Sequence, residues 1–382
     1  MSMRVSYKKQ IFLFCLFFVI VLGGIEIIAN LWWINETRCN FTNNEVFANM
    51  DDSELRKICQ DQSNLNMNEF FILPNQNLNS IHINSLGFRG PEFNIEKDEN
   101  TYRIFFIGGS TAFGSGSTSD QTTIPGFLEK SLNTLNTDFD IQIINAGKSG
   151  FNTLTEKDLI FETIQYMEPD LIIMYDGWNN IRADYKPEFT SSHWSEICNL
   201  GKKNGFETAL FLQPTLTFGK KPLTKQEHAN YLIDSDYFGY KMTGKKEIYN
   251  KYWEEMKNLS NCNIKYDLRD VFENIDAPIY YDGGHMSDYG NEIVAKSIFE
   301  VLKEDVKNSN PKKNHSNLLS AEFKNQPFEN QTMIKNSEND NNVNLGGIYL
   351  QLKGLLTFYK TPIFIDSIIA DSPLTQNLTK IL

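Results

Sequence analysis

Five short apolar runs alternate with stretches of helical periodicity in the central part of this 382-residue chain. A run of four to eight apolar residues bounded by glycine, proline or polar residues is typical of a buried strand. Strands that alternate with helices form a parallel sheet with helices on both faces. The sequence therefore predicts a three-layer α/β sandwich with a parallel central sheet over residues 95–307. In chain order, the runs are TYRIFFIGG, IQIINAG, PDLIIMYDG, ETALFLQP and IKYDL.

A longer apolar run, residues 11–33, lies near the N-terminus and follows the basic residues Arg4, Lys8 and Lys9. At ~1.5 Å per residue, a helix of this length crosses a hydrocarbon core of ~30 Å. The basic flank favours a cytoplasmic N-terminus. We therefore expect residues 1–33 to form a cytoplasmic N-terminus and one transmembrane signal anchor, which makes a single-pass protein of the cell membrane with the rest of the chain on the extracytoplasmic side. A cleaved signal peptide is the alternative, but no A-x-A-like site follows the run.

The cysteines and sequons are compatible with an extracellular glycoprotein. Four cysteines lie outside the apolar run, and an even number in an oxidising compartment favours two disulfide bonds. Local closure favours the pairs Cys39–Cys59 and Cys198–Cys262, and four free thiols are the alternative. Six Asn-x-Ser/Thr sequons, some of which arise by chance in so Asn-rich a chain, begin at Asn35, Asn40, Asn258, Asn314, Asn330 and Asn377.

The segments around the predicted domain differ from it in composition. Residues 34–94 are polar and loop-rich, and we expect a stalk and lead-in there; residues 215–244 have weak periodicity and predict a long loop or lid. Residues 308–344 are rich in Asn, Lys and Ser, which is typical of a disordered linker. Residues 345–382 form an apolar tail interrupted by lysines, which favours an amphipathic segment. The net charge of −12 argues against a nucleic-acid partner.

A glycine- and serine-rich loop, GGSTAFGSGST, follows the first predicted strand, at the end of the sheet where α/β proteins bind ligands. It lacks the lysine of a P-loop and the G-x-G-x-x-G spacing of a dinucleotide site, so phosphate binding is disfavoured. A serine nucleophile instead requires a base and a group that orients the base. Asp282 and His285, three residues apart in YYDGGHMSDYGN, can supply both to Ser110. Taken alone, the D-x-x-H spacing is equally compatible with metal ligation or a surface turn.

Two further loops offer hydrogen-bond donors for an oxyanion, the negative oxygen that develops when a carbonyl is attacked. Gly150, in INAGKSGFN, can present a backbone N–H, and Asn179, in YDGWNN, can present a side-chain amide. Both residue types are also ordinary in loops. The set is informative because the serine, the glycine and the asparagine each follow a predicted strand and so converge on one edge of the sheet.

With these four blocks in order, FFIGGST, INAGKSG, YDGWNN and DGGH, the chain resembles the SGNH hydrolases, the GDSL esterase and lipase superfamily. The lead-in NSLGFRGPEF also resembles exported, membrane-anchored members. The resemblance covers residues 84–303 and implies a flavodoxin-like α/β fold. It implies that Ser110 is the nucleophile, that His285 is the general base and then the general acid, and that Asp282 orients His285. The implied oxyanion donors are the N–H groups of Ser110 and Gly150 and the side chain of Asn179.

The chain departs from the family pattern at two positions. The first block commonly reads G-D-S, whereas Gly109 stands here in place of the aspartate. The third block commonly reads G-x-N-D, whereas Asn180 stands here in place of the aspartate. Neither change removes a catalytic group of the family, but both alter the surroundings of those groups.

The resemblance implies hydrolysis of carboxylic esters through an acyl-serine intermediate, with no cofactor and no metal. An exported, anchored domain favours cell-surface substrates, namely acetylated glycans or lipid esters. One alternative is an O-acyltransferase with the same serine, histidine and aspartate, in which a sugar hydroxyl replaces water. The other is a non-catalytic glycan-binding surface protein that retains the fold. Trp178, beside Asn179, is expected either to stack on a substrate or to serve as a structural residue.

Overall fold

The computed structural model describes residues 6–36, 41, 43–68, 71–233 and 244–311. The amphipathic tail, nearly all of the predicted linker and Cys39 lie outside the described residues. The α-helices are α1 Tyr7–Glu36, α2 Asp52–Asn64, α3 Ser110–Phe113, α4 Ile124–Leu132, α5 Thr153–Glu162, α6 Trp178–Arg182, α7 Pro187–Asn204, α8 Lys225–Ile233, α9 Lys246–Asn258 and α10 Asp288–Lys307. The strands are β1 Gln76–Asn77, β2 His82–Ile83, β3 Thr101–Gly108, β4 Asp140–Asn145, β5 Leu171–Asp176, β6 Glu207–Leu212 and β7 Ile264–Asp267.

Strands β3 to β7 form one five-stranded sheet in the order β4-β3-β5-β6-β7, and every neighbouring pair is parallel. In chain order this is the doubly wound arrangement 2-1-3-4-5 of flavodoxin-like sheets. Every residue of β3 is buried, which is expected for a strand inside a sheet that is covered on both faces. The three-layer α/β sandwich predicted from the sequence is confirmed.

The two faces of the sheet carry separate hydrophobic cores because successive side chains of a strand point to opposite faces. Phe105 and Ile107 pack with side chains of α5, α7 and α9. Ile104 and Phe106 pack with side chains of α4 and α10. The sheet with a helical layer on each side leaves its carboxyl edge free for the loops that carry the candidate site.

Disulfide bonds agree with the pairing favoured by local closure where the structure describes both partners. Cys198 of α7 is bonded to Cys262, just before β7, and so ties a helix to the edge of the sheet. Cys59 is also disulfide-bonded, and its predicted partner Cys39 lies outside the described residues. Cys15 is a free, exposed cysteine on α1.

Helix α1 contains an apolar stretch, Tyr7–Ile28, that makes no buried contact with the rest of the protein. Among the described helices, it is the one that is long and apolar enough to cross a membrane. A signal sequence has a similar length and apolar composition, so α1 is compatible with either function.

The region predicted to be a stalk and lead-in contains helix α2 and the antiparallel pair β1–β2. Phe41, Phe47, Leu55 and Ile58 form a small apolar cluster there, and Tyr281 packs against it. The predicted loop or lid over residues 215–244 contains α8, and its residues 234–243 lie outside the described part of the chain.

Candidate active site

The serine predicted as a nucleophile is the first residue of α3, a single helical turn that follows β3 directly. The sequence shows no helical periodicity at this position, because one turn is too short to display it. At the carboxyl edge of the sheet, β3 and β5 flank the point where the strand order reverses, which is where doubly wound sheets bind their ligands. The first N–H groups of a helix have no intrahelical acceptor. The N–H of Ser110 is therefore free of the helix's own hydrogen bonds.

The three side chains predicted to act together form a continuous hydrogen-bonded chain. Ser110 Oγ lies 2.6 Å from His285 Nε2, and His285 Nδ1 lies 2.7 Å from Asp282 Oδ2. The imidazole tautomer that carries its proton on Nδ1 donates to the carboxylate and leaves Nε2 to accept from the serine hydroxyl. Serine and histidine are 175 residues apart in the chain, and the fold brings them together.

The carboxylate of Asp282 is held as an anion by the turn in which it lies. Its Oδ1 accepts hydrogen bonds from the backbone N–H groups of Gly284 and His285, both at 2.8 Å. Burial opposes ionisation, but the His285 side chain and these two donors outweigh it, and the pKa of Asp282 is lowered. An ionised carboxylate at this position both orients His285 and stabilises its protonated form.

The predicted donor Asn179 lies on α6, just after β5, and its side chain reaches Gly109, directly before Ser110. Its Nδ2 donates to the carbonyl oxygen of Phe151 at 2.7 Å. A side-chain amide has two N–H groups, so one remains for a substrate oxygen. A Cβ at position 109 would overlap this Nδ2 and lie 3.3 Å from the Phe151 oxygen. The glycine that departs from the family's G-D-S block therefore leaves the room that the Asn179 amide occupies.

The second predicted donor, Gly150, lies in the loop after β4. The loop is fixed on both sides near Ser110: Lys148 N donates to Gly108 O at 3.0 Å, and Phe151 O accepts from Asn179. Gly150 has φ of 86°, a backbone conformation that glycine adopts without a steric penalty. No atom lies within 4 Å of the position of a Cβ there, so the residue borders open space.

The second departure from the family pattern, Asn180, belongs to a buried network behind the site. Its Nδ2 donates to Asp176 Oδ1 at 2.9 Å and to Thr153 Oγ1 at 2.8 Å. Asp176 also accepts hydrogen bonds from Thr153 Oγ1, Trp194 Nε1 and the Gly177 N–H. Burial raises the pKa of Asp176, and its hydrogen-bond donors oppose that rise. An amide suits position 180 because it donates to a carboxylate that a second carboxylate would repel.

A second buried carboxyl group, Glu156 on α5, lies near this network. Neither of its oxygens has a hydrogen-bond partner among the described residues. Burial and the charge of Asp176 raise the pKa of Glu156 well above its ordinary value. The sequence offered no signal for this pair, because Glu156 occupies an ordinary position in a predicted amphipathic helix.

Arg89, in the lead-in motif NSLGFRGPEF, donates hydrogen bonds to the helical turn that begins at Ser110. Its Nη1 donates to the carbonyl oxygens of Phe113 and Gly114, at 3.0 and 2.9 Å. Its Nε donates to Asp120 at 2.7 Å, which balances the buried charge. The motif is visible in the sequence, but this function is not, because the contact joins residues that are more than twenty positions apart.

Trp178 is 3% exposed, and its ring lies 3.1 Å from where a Cβ at position 284 would be, in the turn between Asp282 and His285. A ring covered in this way packs against the turn and has no face free to stack on a substrate. These contacts therefore favour a structural role for Trp178 over stacking on a substrate. In the described part of the chain, no group of three or more His, Cys, Asp or Glu side chains is arranged to hold a metal ion.

Fold and site together define an α/β protein with a Ser–His–Asp chain at the carboxyl edge of a doubly wound sheet. Solved structures similar to this chain include an acetylxylan esterase from Geobacillus stearothermophilus, with 15% identity, a TM-score of 0.37 and coverage of 53% of this chain and 94% of that one. Another is assigned to the G-D-S-L lipolytic family, from Desulfitobacterium hafniense DCB-2, with 14% identity, a TM-score of 0.40 and coverage of 52% and 99%.

A third similar structure is the acetyl xylan esterase AlAXEase, with 16% identity, a TM-score of 0.40 and coverage of 52% of this chain and 98% of that one. No protein-family model and no curated protein matches the chain. Similarity at this level does not establish an activity, so the geometry of the site carries the proposal that follows.

Proposed function

We propose that this chain is a membrane-anchored, extracytoplasmic serine esterase whose nucleophile is Ser110. The observation that carries the proposal is the hydrogen-bonded chain from Ser110 Oγ through His285 to Asp282, with both contacts at 2.6–2.7 Å. A serine hydroxyl becomes a nucleophile when a neighbouring base takes its proton. Asn179 Nδ2 lies where a Cβ at position 109 would be, directly before Ser110, and it donates to Phe151 O in the loop that carries Gly150. These contacts support Asn179 and Gly150 as the donors that an oxyanion would need.

In the proposed reaction, Ser110 Oγ attacks the ester carbonyl carbon while its proton passes to His285 Nε2. The carbonyl oxygen becomes an oxyanion that accepts from the N–H groups of Ser110 and Gly150 and from the Asn179 amide. When the carbonyl re-forms, the ester C–O bond breaks, and the leaving alkoxide takes the proton from His285. Water then attacks the acyl-serine, gives its proton to His285, and releases the carboxylic acid. The final proton transfer from His285 restores the serine hydroxyl.

The proposed substrates are esters at the cell surface, acetylated glycans in the first place and lipid esters in the second. The short connection between α1 and the rest of the protein supports a location of the site near the membrane, with α1 as the membrane anchor. Helix α1 ends at Glu36, and Phe41 follows five residues later. An extended chain rises ~3.3–3.6 Å per residue, so these two residues lie at most ~18 Å apart. Phe41 in turn contacts Tyr281, next to the Asp282–His285 pair.

The experiment that tests this proposal is an ester panel of increasing acyl chain length, given to the purified full-length protein in detergent. We expect hydrolysis with a preference for acetyl esters. Turnover should be lost in Ser110→Ala and retained in Ser131→Ala, a matched change on α4 whose hydroxyl donates to Phe127 O. Transfer of the acyl group to an added glycan, without free acid, would instead indicate the acyltransferase. Absence of both hydrolysis and transfer across the panel would contradict the proposal.

A further inference from the structure

Tyr281 directly precedes Asp282, and its ring lies against the proposed catalytic base. The ring centroids of Tyr281 and His285 are 5.5 Å apart, and the planes differ by 11°, which is a stacked arrangement. The Tyr281 N–H donates to His285 O at 3.1 Å, so the two residues are also joined through their backbones. A flat ring in this position limits how far the imidazole can tilt away from Ser110.

The same tyrosine is bonded to the loop of the proposed nucleophile. Tyr281 Oη donates to Ser115 O at 2.9 Å, and the Ser115 N–H donates to Ser110 O at 2.9 Å. A Cβ at position 116 would lie 2.6 Å from the Tyr281 ring. One side chain therefore touches both the turn that carries the base and the loop that carries the nucleophile.

Further contacts of Tyr281 come from the chain shortly after α1, and Asn230 Nδ2 of α8 donates to Tyr281 O at 3.4 Å. Phe41 meets the tyrosine ring edge-on, at a centroid distance of 4.7 Å and an angle of 75°, and Phe47 lies at 5.6 Å. Asn44 Nδ2 donates to Tyr281 O at 3.0 Å. These three residues, called here the N-terminal segment, are each buried to more than nine-tenths.

The N-terminal segment is itself fixed by α8. The Glu45 N–H donates to Gln226 Oε1 at 2.6 Å, and Thr224 Oγ1 donates to Glu45. The buried carboxylate of Glu227 accepts from the N–H groups of Ile279 and Tyr280, at 2.9 and 3.0 Å. Helix α8 and the preceding Thr224 thus contact the N-terminal segment through Glu45, and α8 also binds the residues that directly precede Tyr281.

We propose that the N-terminal segment is a positioning element of the active site, which holds Tyr281 and through it sets His285 against Ser110. This rests on the proposed esterase function. Removal of the segment's rings frees one side of Tyr281, and the tilt of His285 is then no longer fixed. A misplacement of about 1 Å between reacting groups can cost about 100-fold in rate. The N-terminal segment and the site are thereby coupled.

The test uses the full chain in detergent with four variants: Phe41→Ala/Phe47→Ala, Asn44→Ala, Tyr281→Leu and Tyr281→Phe. Active sites are counted by the end-point stoichiometry of a fluorophosphonate probe, and kcat is expressed per counted site. We expect the double variant and Tyr281→Leu to lose about 10- to 100-fold in kcat per site, with KM changed less than about twofold. The milder Asn44→Ala should lose about threefold or more, and Tyr281→Phe, which keeps the ring, should stay within about threefold of wild type.

The control is Leu302→Ala, a fully buried change on α10 in the hydrophobic core that α4 and α10 form with the sheet. It should lower Tm and leave kcat per site unchanged. A purely structural role of the N-terminal segment predicts fewer counted sites with normal kcat per site, and that result in the double variant and in Asn44→Ala would overturn the proposal. A wild-type chain that neither labels nor hydrolyses any ester would overturn the esterase function instead, so the two failures are distinguishable.

Discussion

Substitution of Gly109 by alanine tests the account of the oxyanion site because one methyl group is added at one defined point. A Cβ there would overlap Asn179 Nδ2 and lie 3.3 Å from Phe151 O. The backbone at Gly109 is extended, with φ of −77°, so alanine adopts it without strain. The substitution therefore acts through space, by moving the Asn179 amide away from the turn that carries Ser110.

The expected magnitude follows from the loss of one donor to the oxyanion. Removal of a single such donor costs about 10²–10³-fold in kcat, or about 2.7–4 kcal/mol of transition-state stabilisation. Gly109→Ala should lose a comparable factor, with KM nearly unchanged, because the donor acts mainly in the transition state. Gly109→Asp, which restores the G-D-S block of the resembling family, should be at least as impaired.

The assay is turnover of an acetyl ester per fluorophosphonate-counted site, for Gly109→Ala, Asn179→Ala and the double variant. Gly109→Ala and Asn179→Ala remove the same interaction. We therefore expect kcat per site of the double variant to lie within about threefold of that of Asn179→Ala. Gly201→Ala is the matched control: its Cβ would lie 2.7 Å from Phe206 O, at the opposite edge of the sheet. It should lower stability and spare kcat. Full activity in Gly109→Ala, or additive losses in the double variant, would refute the reasoning.

Three further predictions concern stability. Asn180→Asp places a carboxylate against Asp176 and should lower the free energy of unfolding, by more at about pH 8 than at about pH 5, in urea titrations. Between the ordinary pKa of Glu156 and its raised pKa in the fold, the folded state keeps a proton that the unfolded state releases. Stability therefore falls by up to about 1.4 kcal/mol per pH unit in that window, and Glu156→Gln should remove the slope. Cys198→Ser should cost about 2–4 kcal/mol, since the bond closes a loop with a sequence separation of 64, and an equal Tm with and without reductant in wild type would contradict this.

The sheet was predictable because its strands are apolar runs with clear ends. The run TYRIFFIGG corresponds to β3. The helix ends also carry ordinary sequence signals: Ser287 accepts from the Gly290 N–H as the cap of α10, and Gly205, directly after α7, has the left-handed conformation typical of a helix end. Helices α3 and α6 were missed because each is a turn or so long. Helix α8 was missed because its apolar residues lack helical spacing.

The side chains proposed to react were found from the sequence, whereas the residues that hold them in position were not. Ser110, Asp282 and His285 have side-chain chemistry that narrows their possible functions. Ser110 follows a strand and was therefore expected at the carboxyl edge of the sheet, whereas Asp282 and His285 were recognised by their spacing. Arg89 and Tyr281 act through contacts across many residues, which local pattern does not encode. In the sequence, Gly109 is only the absence of the aspartate that the G-D-S block commonly has. The structure shows that a residue without a Cβ leaves room here for the Asn179 amide.

Covalent labelling tests whether Ser110 is a nucleophile that His285 activates. The full-length protein is treated with a serine-directed fluorophosphonate, digested, and the modified peptide identified by mass spectrometry. We predict one modified residue, Ser110, with labelling abolished in Ser110→Ala and greatly slowed in His285→Gln. No labelling of the wild type, or equal labelling of Ser110→Ala, would contradict the account.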